Sequence, residues 1–418
     1  MKKFGSTLAI TSCLACLTAA DWPQFRGPNG QGNSEGIQLP ETWSEKESIS
    51  WKVPILGLGW SSPSISGNQI WLTTAVEDGK TLRAIAIDRT TGDIIYNKVL
   101  FQIENPGSVH SKNSHASPTP LIEGNRVYFH FGSHGTACMT TSGELVWNTR
   151  ELKYDHVHGP GGSPVLFEDL LIFSCDGADV QFVVALDKNT GAVRWKKKRE
   201  HIGQDRLSGK SNVPMAYSTP LLVNVNGVQQ LLSCGADSIV SYNPHNGEEF
   251  WWFSYDGYSN VPRPVVGKGL VFISSGYDRP EFYAVRIDGS GDVTSTHLAW
   301  NIKKAAPLNP SPLLVDDELY LISDSGIATC LDAKTGDKHW QERIGGNFSA
   351  SPTFADGRIY FLNEEGTMTV VAHGKKFELL ASNSLEGRTL ATPAIVDDTL
   401  FIRTDSHLYR IQRPQGTR

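Results

Sequence analysis

Five of the twelve histidines, His110, His115, His134, His156 and His158, fall in one part of the chain, followed by Asp176 and Asp179. Imidazoles beside carboxylates are the raw material of a metal site or of a general acid–base pair. No HxxxH or other fixed ligand spacing fixes the geometry, so loop residues that never converge are the alternative reading. A second group is cationic. Arg263 stands where related stretches carry Ser or Thr, and Arg279, Arg388 and Asn347 fall on loops expected to share its face. Together they would make a donor-rich pocket for a carboxylate, a sulfate or a sugar acid. The competing reading pairs these arginines with local acids such as Asp278 and Glu386. The candidate ligand-binding residues are therefore His115, His134, His158, Arg263, Asp278, Arg279, Asn347 and Arg388; no catalytic residue and no metal ligand is assigned.

Other chemistry is not supported by spacing. Gly27-x-x-Gly30-x-Gly32 follows no strand and opens no helix, so it reads as an irregular cap and not as a nucleotide loop. No GxSxG marks a serine hydrolase elbow, and no CxxC or CxxCH marks a zinc ribbon or attached haem. Cys138, Cys175, Cys234 and Cys330 each sit in or beside an apolar strand and read as small core residues. Their redox state is left open.

The elements that must position these groups are strands. Ser311 to Trp340 reads as one complete unit: four short apolar runs separated by Asp, Ser and Gly turns, too short and too β-branched for helices. Its opening recurs at Ser62-Pro63, Ser117-Pro118, Ser163-Pro164, Thr219-Pro220, Arg263-Pro264, Ser351-Pro352 and Thr392-Pro393. Its last turn recurs as Asp88 to Gly92, Asp187 to Gly191, Asn243 to Gly247, Asp288 to Gly291 and Asp332 to Gly336. Four residues beyond the turn glycine comes Tyr96, Trp147, Trp195, Trp251 or Trp340, with Trp300 after a longer turn. These aromatics are expected to lie flat between neighbouring units.

The last copy, Thr392 to Arg413, stops after three strands, and the missing Trp strand stands at the other end of the chain as Ile49 to Pro54. Donating it to the last copy would pair an open edge and close a ring. The sequence thus predicts an all-β fold, an eight-bladed β-propeller of four-stranded antiparallel blades, closed by the N-terminal strand joining the last blade. The expected domains are a leader at 1–20, an irregular cap at 21–48, the propeller at 49–413 and a tail at 414–418. In such a ring, loops entering each innermost strand share a face with the loops joining second and third strands. The first loops of that set are long, and long loops on a rigid scaffold are where function concentrates.

With a net charge of −6 the chain offers no basic field for phosphates, so no nucleic-acid partner is expected. The run Lys196 to Arg199 reads as a solvated outer strand end. Lys2-Lys3, an apolar stretch to Ala20 and the small residues Thr18-Ala19-Ala20 read as a secretory leader, with no transmembrane segment and a periplasmic or secreted monomer as the product. Ile10 to Cys13 loosely resembles a lipoprotein processing site, the minor alternative of a lipid anchor through Cys13.

The unit Ser-Pro…Leu-Asp-x-x-Thr-Gly…Trp resembles the repeat of the pyrroloquinoline quinone (PQQ) propeller superfamily. That superfamily includes the quinoprotein alcohol dehydrogenases and the propeller lipoprotein of the outer-membrane barrel-assembly machinery. Asp21 to Pro28, Gly276 to Pro280 and Gly345 to Pro352 resemble a planctomycete-type family of exported PQQ-like propellers. The dehydrogenase branch implies PQQ with calcium or a lanthanide, an Asp as proton acceptor and an adjacent cysteine pair over the cofactor. Past the leader no two cysteines are adjacent. The expected function is therefore an exported scaffold binding a protein, peptide, glycan or small anionic ligand on its loop face, without PQQ. The alternative is a PQQ- or metal-dependent oxidoreductase acting on an alcohol or sugar at the channel mouth.

Overall fold

The computed structural model describes residues 21–209 and 212–414. The leader at 1–20, with Cys13, and the tail from 415 lie outside these residues. Eight sheets stand in a ring. Blade 1 spans 64–102, blade 2 121–149, blade 3 165–198, blade 4 221–254, blade 5 265–302, blade 6 313–343 and blade 7 353–384. Blade 8 holds Ala394–Val396, Thr399–Arg403 and His407–Gln412, and its fourth, outermost strand is Ile49–Pro54 from the start of the chain. That strand pairs antiparallel with His407–Gln412, Lys52 opposite Tyr409 and Val53 opposite Leu408. The ring closes as the strand inventory predicts.

Blades are joined by two repeated devices. On the outside, the indoles of five repeat tryptophans lie on the turn of the next blade and donate their N–H to a carbonyl there: Trp51 to Arg89, Trp147 to Lys188, Trp195 to Pro244, Trp300 to Ala333 and Trp340 to Gly374. The turn glycine is required by the approach as well as by its positive φ. A Cβ on Gly191 would stand 2.6 Å from the Trp147 ring. On the inside, the hydroxyl that opens six of the eight innermost strands accepts from the backbone N–H at the same position one blade back. The bonds run from Ser62 to Thr119, Thr119 to Ser163 and Ser163 to Thr219, then from Arg263 to Ser311, Ser311 to Ser351 and Ser351 to Thr392. Proline after each hydroxyl is harmless there, because it sits at the start of a strand where no ladder donor is needed.

Two details of the repeat differ from expectation. Blade 2 opens at Thr119-Pro120, not at Ser117-Pro118, because Thr119 is the residue in the hydroxyl ring and Leu121–Glu123 is the strand that follows. Asp288 to Gly291 does not form the repeat turn. Gly291–Asp292 instead runs parallel to Trp251 and Trp252 as a fifth strand of blade 4. The Trp251 indole, deprived of a turn carbonyl, donates to Gln230 Oε1 within its own blade.

Residues 21–38 form a plug in the channel. Trp22 exchanges backbone bonds with Ile65 on blade 1, and Pro23 accepts from Ile122 on blade 2. Further along, Gly32 and Ser34 bond Phe354 on blade 7, and the Ser34 hydroxyl reaches Ile395 on blade 8. The segment thus ties the innermost strands of most blades together. Cys138, Cys175, Cys234 and Cys330 are all unpaired and buried.

Candidate functional site

Loops entering the innermost strands and loops joining second and third strands do meet on one face. Between them, above the plug, is a cavity of about 610 Å³ floored by Phe25. Its wall is mostly apolar or hydroxylic: Trp60, Met215, Tyr217, Tyr258, Leu308 and Leu390 above the ring of Ser and Thr that opens the strands. Its lining carries, besides tyrosines, the ionisable side chains of His110, Lys112, His158 and Asp324. A second, more open pocket of about 850 Å³ adjoins it, sharing Asn212, Tyr258 and Tyr277, and reaches outward over blades 4 and 5. Long side chains with a polar tip on an apolar body are what a binding cleft for a chain segment uses.

Asp324 is the cavity's one carboxylate among the described residues. It accepts from the backbone N–H of Leu308 and Asn309 and from the Asn309 side chain. Burial lifts it above the usual carboxylate range, and those bonds pull against the rise. Near it, Glu364 collects Lys112 at 2.9 Å, Arg388 at 3.0 Å and the Ser349 hydroxyl at 2.7 Å.

The histidines converge, but in two separate groups. His110 and His158 pair edge to face at 5.5 Å between ring centroids on the cavity wall. His115, His134 and His156 form a buried chain outside the cavity, with centroids 5.9 Å and 5.0 Å apart. Nδ1 of His115 and Nε2 of His156 have no hydrogen-bond partner, and His134 Nε2 lies 3.1 Å from the Pro106 carbonyl. Among the described residues no group of three His, Cys, Asp or Glu side chains is arranged to hold an ion. Asp176 does not join the histidines. It forms a buried ion pair with Arg199 at 2.6 Å, and Asp179 caps the Asp155 N–H. Arg199 is accordingly the exception in its basic run: it is buried between blades 3 and 4, also donating to Ser174 and Ser233, while Lys197 meets Glu200 and Glu249 outside.

Burial forces the histidine chain to stay neutral. Desolvation, with repulsion from neighbouring imidazoles, pushes His134 and His156 down to about 4 and His130, against Phe173, to about 3. A base whose folded value lies below its unfolded value of about 6.5 contributes stability above pH 6.5 and loses it as pH falls toward the folded value. The protein should therefore lose thermal stability steeply between about pH 6.5 and 4. His156→Asn should flatten that slope in a melting series; an unchanged slope would show that the histidines are not responsible.

The anion pocket expected from Arg263, Arg279, Arg388 and Asn347 is not assembled. Arg263 is fully buried beneath the plug, where Nη1 donates to the Phe25 carbonyl, and a Cβ on Gly30 would stand 2.2 Å from its guanidinium. Desolvation pulls its pKa down to about 9. Its substitution for Ser or Thr breaks the hydroxyl ring in order to anchor the plug. Arg388 is committed to Glu364 and to the Ser111 carbonyl, and Asn347 to Glu365. Asp278 and Arg279 are exposed on the outer pocket. Of the candidate residues, only His158 lines the main cavity. Trp60, Lys112, Tyr217, Tyr258 and Asp324 line it without having been singled out by sequence. Their one advance signal is the length of the loops that carry Lys112 and Tyr217.

PQQ with its ion fits this cavity poorly. The ion needs several carboxylate and amide oxygens, and the cavity's one carboxylate is already engaged by three donors. Among the described residues no helix is long and apolar enough to cross a membrane.

Comparison with known proteins agrees with this frame. The family described as outer membrane protein assembly factor BamB matches residues 43–288, 155–342 and 287–418. The outer membrane protein assembly factor BamB of Shewanella oneidensis is 22% identical over 203 residues, 45% of this chain and 49% of that protein. The chain thus spans about half the length of the curated relative it matches. Among solved structures, BamB from Moraxella catarrhalis is similar at a TM-score of 0.60 and 13% identity, over 87% of this chain and 99% of that one. A europium-containing methanol dehydrogenase is similar at 0.70 and 10% identity, over 94% and 98%. The quinohemoprotein alcohol dehydrogenase of Comamonas testosteroni is similar at 0.67 and 11% identity, over 96% and 83%. At these identities the structures show the propeller fold alone.

Proposed function

The chain belongs to the family described as outer membrane protein assembly factor BamB, and on that premise we propose that it is an exported propeller scaffold. It binds a segment of a partner protein at the mouth of its channel and carries no PQQ. The observation that carries this reading is the cavity itself: about 610 Å³ of aromatic, aliphatic and hydroxyl wall, closed below by Phe25. Such a wall receives apolar side chains of a peptide and offers hydroxyls to its backbone. Its one carboxylate, Asp324, is already engaged by three donors, so it offers no free carboxylate to hold an ion or to take a substrate proton. An anionic or sugar-acid ligand is less well served, because Arg263 and Arg388 are spent on internal partners.

The family description supports a role beside outer membrane protein assembly, in which the scaffold holds a chain segment without altering it. The reading takes the protein as a monomer in the periplasm or outside the cell, freed of its leader. The oxidoreductase alternative is tested by calorimetric titration of residues 21–418 with PQQ and calcium, and again with a lanthanide. No saturable heat is expected at tens of micromolar protein. One-site binding at micromolar strength or tighter would replace the scaffold with an enzyme.

A further inference from the structure

The connection between blades 1 and 2 does not simply hop between neighbours. Residues 107–116 leave blade 1, touch the blade 2–3 connection, and end their outward reach on the opposite side of the ring. On the near side, the His110 N–H and the Asn113 side chain both donate to the His158 carbonyl. On the far side, the Lys112 ammonium lies 2.9 Å from Glu364 on blade 7 and 4.0 Å from Asp324 on blade 6. Arg388, on the connection from blade 7 to blade 8, donates from Nη1 to the Ser111 carbonyl and from Nη2 to Glu364. Blades 2 and 6 are diametrically opposed in a ring of eight. A loop that touches both sides must cross the mouth of the channel, and His110, Lys112 and Asn113 are accordingly part of the cavity wall.

The two sides of this crossing are held by different physics. At its root, Ser114, His115 and Ala116 are buried, and Ala116 accepts from Trp60 and Ser61. Along its span, Gly107, Ser108, His110 and Ser111 are exposed, and Val109 is only half-buried. The far-side contacts run through the tips of Lys112 and Arg388, both meeting the single carboxylate of Glu364. Contacts of this kind are screened by salt and open at lower cost than a packed apolar interface. Gly107 adopts φ +75 with open space around its Cβ position, so the backbone can turn there without obstruction.

We propose that residues 107–116 are a lid on the channel-mouth cavity, latched on Glu364 by Lys112 and Arg388, and that release of this latch regulates entry of the bound segment. The inference rests on the cavity being the binding site, as proposed above. Its test needs no ligand, so failure of one does not entail failure of the other.

The test is the rate at which a thiol inside the cavity is labelled. In the chain 21–418, Val261→Cys places a single reactive thiol on the wall, Cys138, Cys175, Cys234 and Cys330 being buried. N-phenylmaleimide should label it about five-fold faster when Lys112→Met or Arg388→Met is added, as expected for loss of a part-exposed ion pair. Raising the salt from about 0.05 to 0.5 M should accelerate labelling in the latched chain and not in a chain carrying both Lys112→Met and Arg388→Met. Leu56→Cys, on an exposed loop, should react at one rate in every background. Met215→Cys, elsewhere on the same wall, serves if Val261→Cys does not fold. Equal labelling rates with and without Lys112 and Arg388, or an equal rise at Leu56→Cys, would overturn the lid.

Discussion

Replacing Ile49–Pro54 by a glycine–serine stretch of equal length should cost the protein roughly 5 kcal/mol or more and turn one cooperative melt into a broad one. The strand is the outer edge of blade 8, paired with His407–Gln412. Its removal opens the outer edge of His407–Gln412, which keeps only its pairing with Thr399–Arg403. It also strips Trp51 from the turn of blade 1, where the indole donates to Arg89 and lies against Gly92. A part-buried Trp accounts for about 3 kcal/mol of the loss and the ladder bonds for about 1 kcal/mol each. An exposed edge of this kind also invites pairing between molecules, so aggregation on heating should rise. Thermal unfolding followed by circular dichroism and light scattering reads both effects. Adding a synthetic peptide of residues 45–56 should restore part of the stability. An unaltered melting curve for the replaced chain would mean that the ring is not closed by this strand.

Asp176→Ala should destabilise the fold by about 3–5 kcal/mol, because it leaves Arg199 charged, buried and without its carboxylate. Both side chains are 1% exposed. Burial alone would pull the Arg199 guanidinium down, and Asp176 more than restores it. Burial lifts the Asp176 carboxyl above its usual range against the pull of Arg199. The pair is therefore costly to make and costlier to break. Asp176→Leu with Arg199→Met should recover most of the lost stability, since an apolar pair of similar volume removes the desolvation cost. Chemical denaturation of the single and double variants checks this. A double variant as unstable as Asp176→Ala would show that the site needs the charges themselves, for instance to hold Ser174 and Ser233 across blades 3 and 4.

The ring was legible because its rules are local. Each Asp-x-x-Thr-Gly turn and each following Trp is written within a few residues, and the stray strand at Ile49–Pro54 carries the same Trp signature. Where the local signal doubles, it is ambiguous: Ser-Pro-Thr-Pro at 117–120 offers two openings, and only the hydrogen bond from Ser62 to Thr119 picks the second. Where a turn kept its composition but lost its register, as at Asp288 to Gly291, sequence could not show that the segment adds to blade 4. The site was less legible, because its partners are far apart in the chain. Arg263 is a channel-facing cation in sequence, but its partner is the Phe25 carbonyl, supplied by a plug with no periodicity. Lys112 meets Glu364 only because the ring brings blade 7 opposite the loop that carries it. The histidines were close enough in sequence to be noticed, yet burial divides them into a neutral structural chain and a pair on the cavity wall.

The central claim is that the channel-mouth cavity holds a segment of a partner protein. Its most direct test is site-specific photo-cross-linking in the native host, with a benzophenone amino acid at Tyr217 in the cavity and, for comparison, at Asn68 on the opposite face. The account predicts one recurrent partner cross-linked from position 217 and not from 68, attached through the same short segment in every preparation. A synthetic peptide of that segment should then bind the purified protein and compete with cross-linking. Cross-links from 68 alone, or a segment peptide that does not bind, would contradict it.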